Sequence, residues 1–159
     1  MSAKFNPFAT ILQFLDQYQA KYELLDHEPV FTSAQAQQIR GLEGVIGAKA
    51  LLIKTNLGYF LVVMPGTERL DSKKLKAHLG CKKLRFATPE EVVEIMGCEI
   101  GACYPLGPVC KTPMVVEASL AQAKRIAFNP GRHNRSVIMA WSEYERLLTP
   151  ELVDLRQSP

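Results

Sequence analysis

The sequence has no apolar run long enough to cross a bilayer, and residues 1–7 lack the apolar core of a signal peptide. The first absence argues against a membrane-spanning protein. The second gives no sign of secretion. We therefore expect a cytoplasmic protein without a membrane partner.

The chain has four cysteines, but no two of them are spaced as Cys-x-x-Cys. Without that spacing or a sign of secretion, we expect reduced thiols. Cys98, Cys103 and Cys110 could form a zinc site with His78, but their spacings match no common zinc pattern, so we predict no metal and no cofactor. A reactive thiol in the loop would need an adjacent base or cation, and the histidines are distant in sequence, so buried inert cysteines are favoured.

The remaining composition is that of an ordinary soluble protein, with 47% hydrophobic and 22% charged residues in a chain of 159. This length suffices for one domain with a real core and is too short for two comfortable ones. We predict one domain over residues 1–159, with an N-terminal helix at about 10–22, a core at about 22–148 and a loose C-terminal tail.

Positive charge is unevenly distributed, although the net charge is only +3. Between residues 69 and 85, seven Lys and Arg residues stand against one acid, Asp71. Such a segment is either a solvated surface or a binding surface for a polyanion. The candidate nucleic-acid contacts are Lys73, Lys74, Lys76, Lys82 and Lys83, with Arg132 and Arg135 in a later polar turn.

Apolar spacing, caps and turn residues predict helices and strands along the whole chain. Thr10 can cap the first helix, Asp71 or Ser72 a basic one, and Thr88 precedes a helix with proline at its first position. The predicted helices cover residues 10–22, 32–40, 73–79 and 89–96, and a last one begins at about residue 142. The predicted strands cover residues 22–27, 49–54, 59–64, 84–87, 114–117, 125–128 and 137–140.

The two apolar runs at residues 49–54 and 59–64 are separated by a short turn, so they predict a β-hairpin. Their nearly continuous apolar character implies burial on both faces. Because side chains alternate along a strand, Lys49 shares a face with Leu51 and Ile53. If that face is inward, the Lys49 ammonium needs a partner or a ligand. The alternative is that Lys49 lies at a frayed strand start and reaches water.

Residues 97–108 include three glycines and two prolines. Both residue types weaken helices and central strands, so the segment is predicted to be a shaped loop. Successive N–H groups of such a loop can converge on an oxygen atom of a ligand. The alternative is a plain connection between two elements.

Five segments, taken in this order, resemble the YbaK/EbsC family: residues 22–29, 48–52, 70–75, 97–107 and 129–132. The most specific parts are Lys49 and the Gly-x-x-x-Gly-x-x-x-Pro-x-Gly loop. That family belongs to the superfamily of aminoacyl-tRNA editing domains, which includes the insertion domain of bacterial prolyl-tRNA synthetase. The resemblance covers residues 22–148. It implies an α/β domain of the α+β type, with a mixed, strongly curved, barrel-like sheet flanked by helices.

The resemblance also implies a trans-editing deacylase that hydrolyses the ester bond of a mischarged tRNA carrying a small amino acid, with tRNA-Pro as a candidate. Its partners would be the tRNA acceptor end and, as a further candidate, an aminoacyl-tRNA synthetase. Carried over, the catalytic residues are Lys49 and the N–H groups of Gly101 and Ala102. Such donors stabilise the negative charge that ester hydrolysis develops on the carbonyl oxygen. The candidate substrate contacts are Tyr22, Phe31, Ala50, Pro105, Leu106, Gly107, Asn129 and Ser136.

Three positions depart from the family's pattern. Ala50 follows the lysine where threonine or asparagine is frequent, Asn129 stands where serine or histidine is frequent, and Ser136 stands where aspartate is frequent. Two hypotheses therefore remain. One is an active editing hydrolase, and the other is a non-catalytic module of the same fold that binds tRNA, a nucleotide or a synthetase.

Overall fold

The computed structural model describes residues 6–27 and 44–158 of the chain. The predicted helix at residues 32–40 and the candidate contact Phe31 lie outside the described residues. The described α-helices are α1 (Pro7–Gln17), α2 (Ser72–Leu79), α3 (Pro89–Met96), α4 (Gly107–Cys110) and α5 (Trp141–Leu148), and a 3-10 helix covers Ala118–Gln122. The described strands are β1 (Glu23–Asp26), β2 (Val45–Thr55), β3 (Gly58–Pro65), β4 (Leu84–Phe86), β5 (Met114–Glu117), β6 (Arg125–Phe128), β7 (Arg135–Ala140) and β8 (Glu151–Val153).

These strands form one mixed sheet in the order β1-β7-β6-β2-β3-β5-β8, and β4 pairs with β2 beside this path. The hairpin of β2 and β3 is antiparallel, as predicted, whereas β6 pairs with β2 and β5 with β3 in parallel. Parallel and antiparallel pairs together confirm the expectation of a mixed sheet flanked by helices.

Strand β2 lies in the middle of the sheet, and its two ends have different neighbours. Residues 45–47 pair with β6 and residues 53–55 pair with β4, both on the edge that faces away from β3. On the other edge, β3 pairs with residues 48–55. Between β6 and β4, residues 48–51 of β2 therefore have no strand neighbour on the edge away from β3, among the described residues.

Both faces of the hairpin are buried, as its apolar runs predicted. Ala48, Ala50 and Leu52 contribute to the larger hydrophobic core, between the sheet and helices α1, α3 and α5. On the opposite face, Ile53 and partly buried Leu51 pack in a smaller core beside α2. Alternation along β2 places Lys49 on this second face.

Local signals identified most helices, but the first prediction was wrong at both ends. Helix α1 begins at Pro7 and ends at Gln17, and Asn6 rather than Thr10 is its N-cap. In α2, Asp71 is the N-cap and Gly80 ends the helix in the left-handed region. Thr88 and Glu91 form a capping box at the start of α3. The first boundary was missed because proline at the first helical position was not used there.

The C-terminal tail is not loose, contrary to the prediction. After β8, Leu155 is completely buried, and its N–H donates to the buried carboxylate of Glu117 at 3.0 Å. The backbone of Arg156 forms an isolated antiparallel β-bridge with Leu70, and the Gln157 N–H donates to the Arg69 carbonyl at 2.8 Å. The segment is therefore fixed to β5 and to the start of α2.

None of the helices in the described ranges is both long and apolar enough to span a membrane.

Candidate functional site

A cavity of about 720 Å³ opens beside residues 45–52 of β2. It is also lined by Phe86 at the end of β4 and Ala87 just after it, by Asn129 after β6, and by residues 65–68, which begin at the last residue of β3. The cavity therefore lies where the edge of β2 has no strand partner. From the loop at residues 97–106, Ile100, Gly101 and Cys103 also line it.

Lys49 lies on the cavity wall, half-buried, in the interior of β2 rather than at a frayed start. Its ammonium donates to the Glu68 carbonyl at 2.6 Å and lies 3.4 Å from the Gly66 carbonyl. Burial, and secondly the charge of Arg69, lower the pKa of Lys49, while Glu68 opposes them. An ammonium has three N–H donors, so two carbonyl partners leave one for a ligand.

Two hydrogen bonds attach the glycine loop to the turn after β6. The Asn129 side-chain amide donates to the Gly101 carbonyl at 2.6 Å, and the Gly131 N–H donates to the Ala102 carbonyl at 3.0 Å. Gly101 has a φ of 93°, a conformation that glycine adopts without strain. The structure thus places Gly101 and Asn129 together on one wall of the cavity.

The predicted role of the Ala102 N–H requires a correction. This N–H donates to the Glu99 carbonyl at 3.0 Å within a turn, and the Ala102 side chain is buried. It is therefore already engaged as a donor. Gly101 and Cys103 line the cavity, which makes their N–H groups the alternative candidate donors.

The end of the predicted loop has a structural role. Residues 107 and 108 belong to α4, so the loop is shorter than predicted. The Pro105 carbonyl accepts a hydrogen bond from the Tyr144 hydroxyl at 2.6 Å, and Leu106 is completely buried. A Cβ atom at Gly107 would lie 2.6 Å from the Thr112 carbonyl oxygen, so only glycine fits there. Pro105, Leu106 and Gly107 are therefore buried residues that anchor the end of the loop, and they are not among the cavity-lining residues.

The other candidate substrate contacts are divided between cavity and core. Ala50 lines the cavity. Tyr22 does not: it packs against the larger core, and its hydroxyl donates to Asp16 at 3.0 Å. Ser136 is buried in β7, where its hydroxyl lies 2.7 Å from a ring nitrogen of His27.

The cysteines do not gather around His78. The Cys98 and Cys103 sulfurs are 4.0 Å apart, whereas His78 lies on α2 and contacts Glu151. Within residues 6–27 and 44–158, no cluster of three or more His, Cys, Asp or Glu side chains could hold a metal ion. A hydrogen bond from the Cys98 thiol lowers the pKa of Cys103, although burial opposes it. Cys103 is the one cysteine among the cavity-lining residues.

The positively charged candidates differ in their surroundings. Lys73, Lys82 and Lys83 are exposed, and Lys76 is partly buried. Lys74 forms an ion pair with Asp154 at 3.0 Å, and Arg135 one with Asp26 at 2.7 Å. The Arg132 guanidinium lies over the Phe8 ring, 4.6 Å from its centroid.

Sequence analysis did not identify Phe86, Ile100, Glu68 or Arg156, all of which line the cavity. Phe86 and Ile100 are apolar, and an apolar residue in a strand or after a helix is ordinarily assigned to the core. Their position became visible only with the fold. Arg156 was missed because the tail was predicted to be loose.

The fold and sequence were compared with known proteins. The family model of the aminoacyl-tRNA editing domain matches residues 27–147. The multifunctional Ser/Thr-tRNA deacylase ProXp-y of Escherichia coli (strain K12) is 31% identical over 153 residues, covering 93% of this chain and 92% of that protein. The prolyl-tRNA editing protein ProX of Acetoanaerobium sticklandii is 24% identical over 145 residues, covering 87% and 88%.

Among solved structures, the crystal structure of a candidate trans-editing enzyme for prolyl tRNA synthetase superposes with a TM-score of 0.82. It shares 23% sequence identity and covers 97% of this chain and 99% of that one. This likeness establishes the fold, and the family model and the Escherichia coli relative establish the sequence relationship. The chain belongs to the aminoacyl-tRNA editing domain family.

Proposed function

We propose that the protein is a trans-editing aminoacyl-tRNA deacylase, which hydrolyses the ester bond between a tRNA and a wrongly attached amino acid. One observation carries the proposal: Lys49 and the glycine-loop residues Gly101 and Cys103 line the same cavity. The names of the relatives ProXp-y and ProX, a Ser/Thr-tRNA deacylase and a prolyl-tRNA editing protein, support the same reaction.

Ester hydrolysis needs a nucleophile and a stabilised oxyanion. Water or the neighbouring hydroxyl of the terminal ribose attacks the ester carbonyl, and negative charge develops on the carbonyl oxygen. The free N–H of Lys49 and the N–H groups of Gly101 and Cys103 are our candidate donors for this oxygen.

The preferred amino acid is small in our proposal. Ala48 and Ala50 give the cavity short side chains on the β2 wall, and Ala50 supplies no polar group there. Serine, threonine and alanine are therefore candidate substrates, with tRNA-Pro among the candidate carriers. An aminoacyl-tRNA synthetase is a further candidate partner.

The exposed cations near α2 are the proposed contacts for the tRNA backbone. Lys73, Lys82 and Lys83 point to solvent, and their neutralisation of phosphates would release counterions. Binding should then weaken steeply as salt increases. Lys74 and Arg135 are weaker candidates because each is paired with a carboxylate.

The first experiment is a deacylation assay on alanyl-, cysteinyl-, seryl- and threonyl-tRNA with prolyl and cognate tRNA bodies. Wild type, Lys49→Ala, Lys54→Ala and Cys103→Ser are compared. Lys54 is the matched control because it lies on the same strand but over the Tyr59 ring, at 4.4 Å from its centroid. We expect wild type, Lys54→Ala and Cys103→Ser to release one small amino acid, and Lys49→Ala to lose the activity.

The outcomes distinguish three mechanisms. No release above the spontaneous rate from any tRNA would favour the non-catalytic binding module. Loss of activity in Cys103→Ser, with a folded protein, would instead support a thiol nucleophile and a thioester intermediate. Equal activity in wild type and Lys49→Ala would remove the lysine from the mechanism.

A further inference from the structure

Two large apolar side chains are exposed at the mouth of the cavity. Phe86 is 59% exposed and Ile100 is 54% exposed, and both line the cavity. The other large hydrophobic side chains exposed within the described ranges, Tyr18, Leu24, Leu57 and Leu152, do not line it. Phe86 ends β4 and Ile100 belongs to the glycine loop, so two separate elements present apolar surface at one opening.

The cavity has room for more than a small amino acid. Its volume of about 720 Å³ lies within the range of sites that enclose whole drug-sized ligands, roughly 300–1,000 Å³. A side chain such as that of serine fills only a small part of it. A ligand that used the remaining space would extend from Lys49 toward the opening.

Positive charge near Phe86 in the chain favours a ligand with phosphate. Lys82 and Lys83 are exposed and lie immediately before β4. At a rise of about 3.3 Å per residue, Phe86 lies about 10 Å along the strand from Lys83. The Asn56 side chain holds the backbone of this segment in place, because its carbonyl accepts hydrogen bonds from the Lys82 and Lys83 N–H groups at 2.8 and 3.2 Å.

We propose that Phe86 and Ile100 bind the base of the terminal adenosine of the tRNA, with the Phe86 ring stacked on the base. This inference rests on the proposed function and extends it from the reacting ester to the nucleoside. Proteins that bind single-stranded nucleic acid combine exposed aromatic rings, on which the bases stack, with neighbouring positively charged residues. Ile100 covers the base edge from the side of the glycine loop.

Steady-state deacylation tests the stacking contact. Phe86→Ala should raise KM for the mischarged tRNA by roughly 5- to 150-fold, the range expected for one stacked base, with little change in kcat. Phe86→Trp should keep a low KM, whereas Phe86→Leu should behave like Phe86→Ala, because leucine retains apolar surface but no ring. Leu57→Ala is the matched control, since Leu57 is equally exposed in the turn between β2 and β3.

A binding measurement separates this inference from the proposed reaction. The probe is a tRNA with 2-aminopurine riboside at its 3′ end and the amino acid attached through a non-hydrolysable amide. Stacking on Phe86 should quench the 2-aminopurine fluorescence in wild type and Leu57→Ala but not in Phe86→Ala.

If wild type hydrolyses mischarged tRNA while Phe86→Ala shows unchanged KM and unchanged quenching, the stacking site is wrong and the deacylase remains. If wild type shows quenching that depends on Phe86 but no hydrolysis, the base-binding site is supported and the proposed reaction is wrong. A KM increase in Phe86→Leu far smaller than in Phe86→Ala would replace stacking by a simple apolar contact.

Discussion

Replacing Asn129 by alanine removes the side-chain hydrogen bond that holds the glycine loop at Gly101. The Asn129 amide lies 2.6 Å from the Gly101 carbonyl, and both residues line the cavity. One further bond from the same turn, from the Gly131 N–H to the Ala102 carbonyl, remains in the variant. The loop should therefore stay folded but lose part of the restraint on the orientation of Gly101.

The expected magnitude follows from the exposure of this bond. A neutral hydrogen bond contributes about 0.5–1.5 kcal/mol net to stability. Gly101 is exposed, so water can replace the lost donor, and we expect a stability loss near the lower end, with Tm falling by about 1–2 °C. If about 1 kcal/mol also favours the productive loop orientation, kcat/KM should fall roughly fivefold.

The assay compares deacylation by wild type, Asn129→Ala and Asn129→Asp, with thermal unfolding of each. Aspartate has nearly the same shape as asparagine but no N–H donor, and its carboxylate would face the Gly101 carbonyl. The kcat/KM of Asn129→Asp should therefore fall further than the kcat/KM of Asn129→Ala. The reasoning is refuted if both variants keep wild-type kcat/KM. A loss that only accompanies global unfolding at the assay temperature would also count against a positioning role.

Two other predictions concern charge. Because the pKa of Lys49 is lowered, a deacylation rate that requires its ammonium should decline as the pH rises through a value below 10.5. The rate of hydroxide-catalysed hydrolysis is subtracted first. Lys49→Arg should move this decline to higher pH. Burial alone would raise the pKa of Glu117, but hydrogen bonds from Ser119 and Leu155 outweigh it, so its pKa is lowered in the folded state. The ionised Glu117 carboxylate therefore stabilises the fold above pH 4.5. This stabilisation is lost as the pH falls through the lowered pKa. Glu117→Gln should therefore reduce the free energy of unfolding by about 2–3 kcal/mol at neutral pH in urea titrations, and by less in acid; an equal difference at both pH values would contradict this account.

Local sequence signals were sufficient wherever the determining contacts are close in the chain. Asp71 and Gly80 delimit α2, and Thr88 with Glu91 begins α3, because caps act within one helical turn. The hairpin was predictable because its two strands are adjacent in sequence. The tail was not, since the buried carboxylate of Glu117 that binds Leu155 lies 38 residues earlier in the chain.

The site was predictable in part for the same reason. Lys49 was identified by its position in an apolar strand, and Gly101 by the glycine loop, and both are local patterns. The choice between the N–H groups of Ala102 and Cys103 depends on single peptide orientations, which no pattern of residue types determines. The exposed position of Phe86 depends on where β4 meets β2, a contact across about 30 residues.

The cavity itself follows from the length of β2. A strand of 11 residues is longer than either neighbour on its open edge, because β6 covers residues 45–47 and β4 covers residues 53–55. The part between them is paired with β3 alone, so its other edge is open to the cavity. Lys49 lies in this part, where its backbone is held by antiparallel pairing and its ammonium by the Glu68 carbonyl. A preorganised cation at an open sheet edge needs little reorganisation when charge develops on a substrate, which is the condition for electrostatic stabilisation of a transition state.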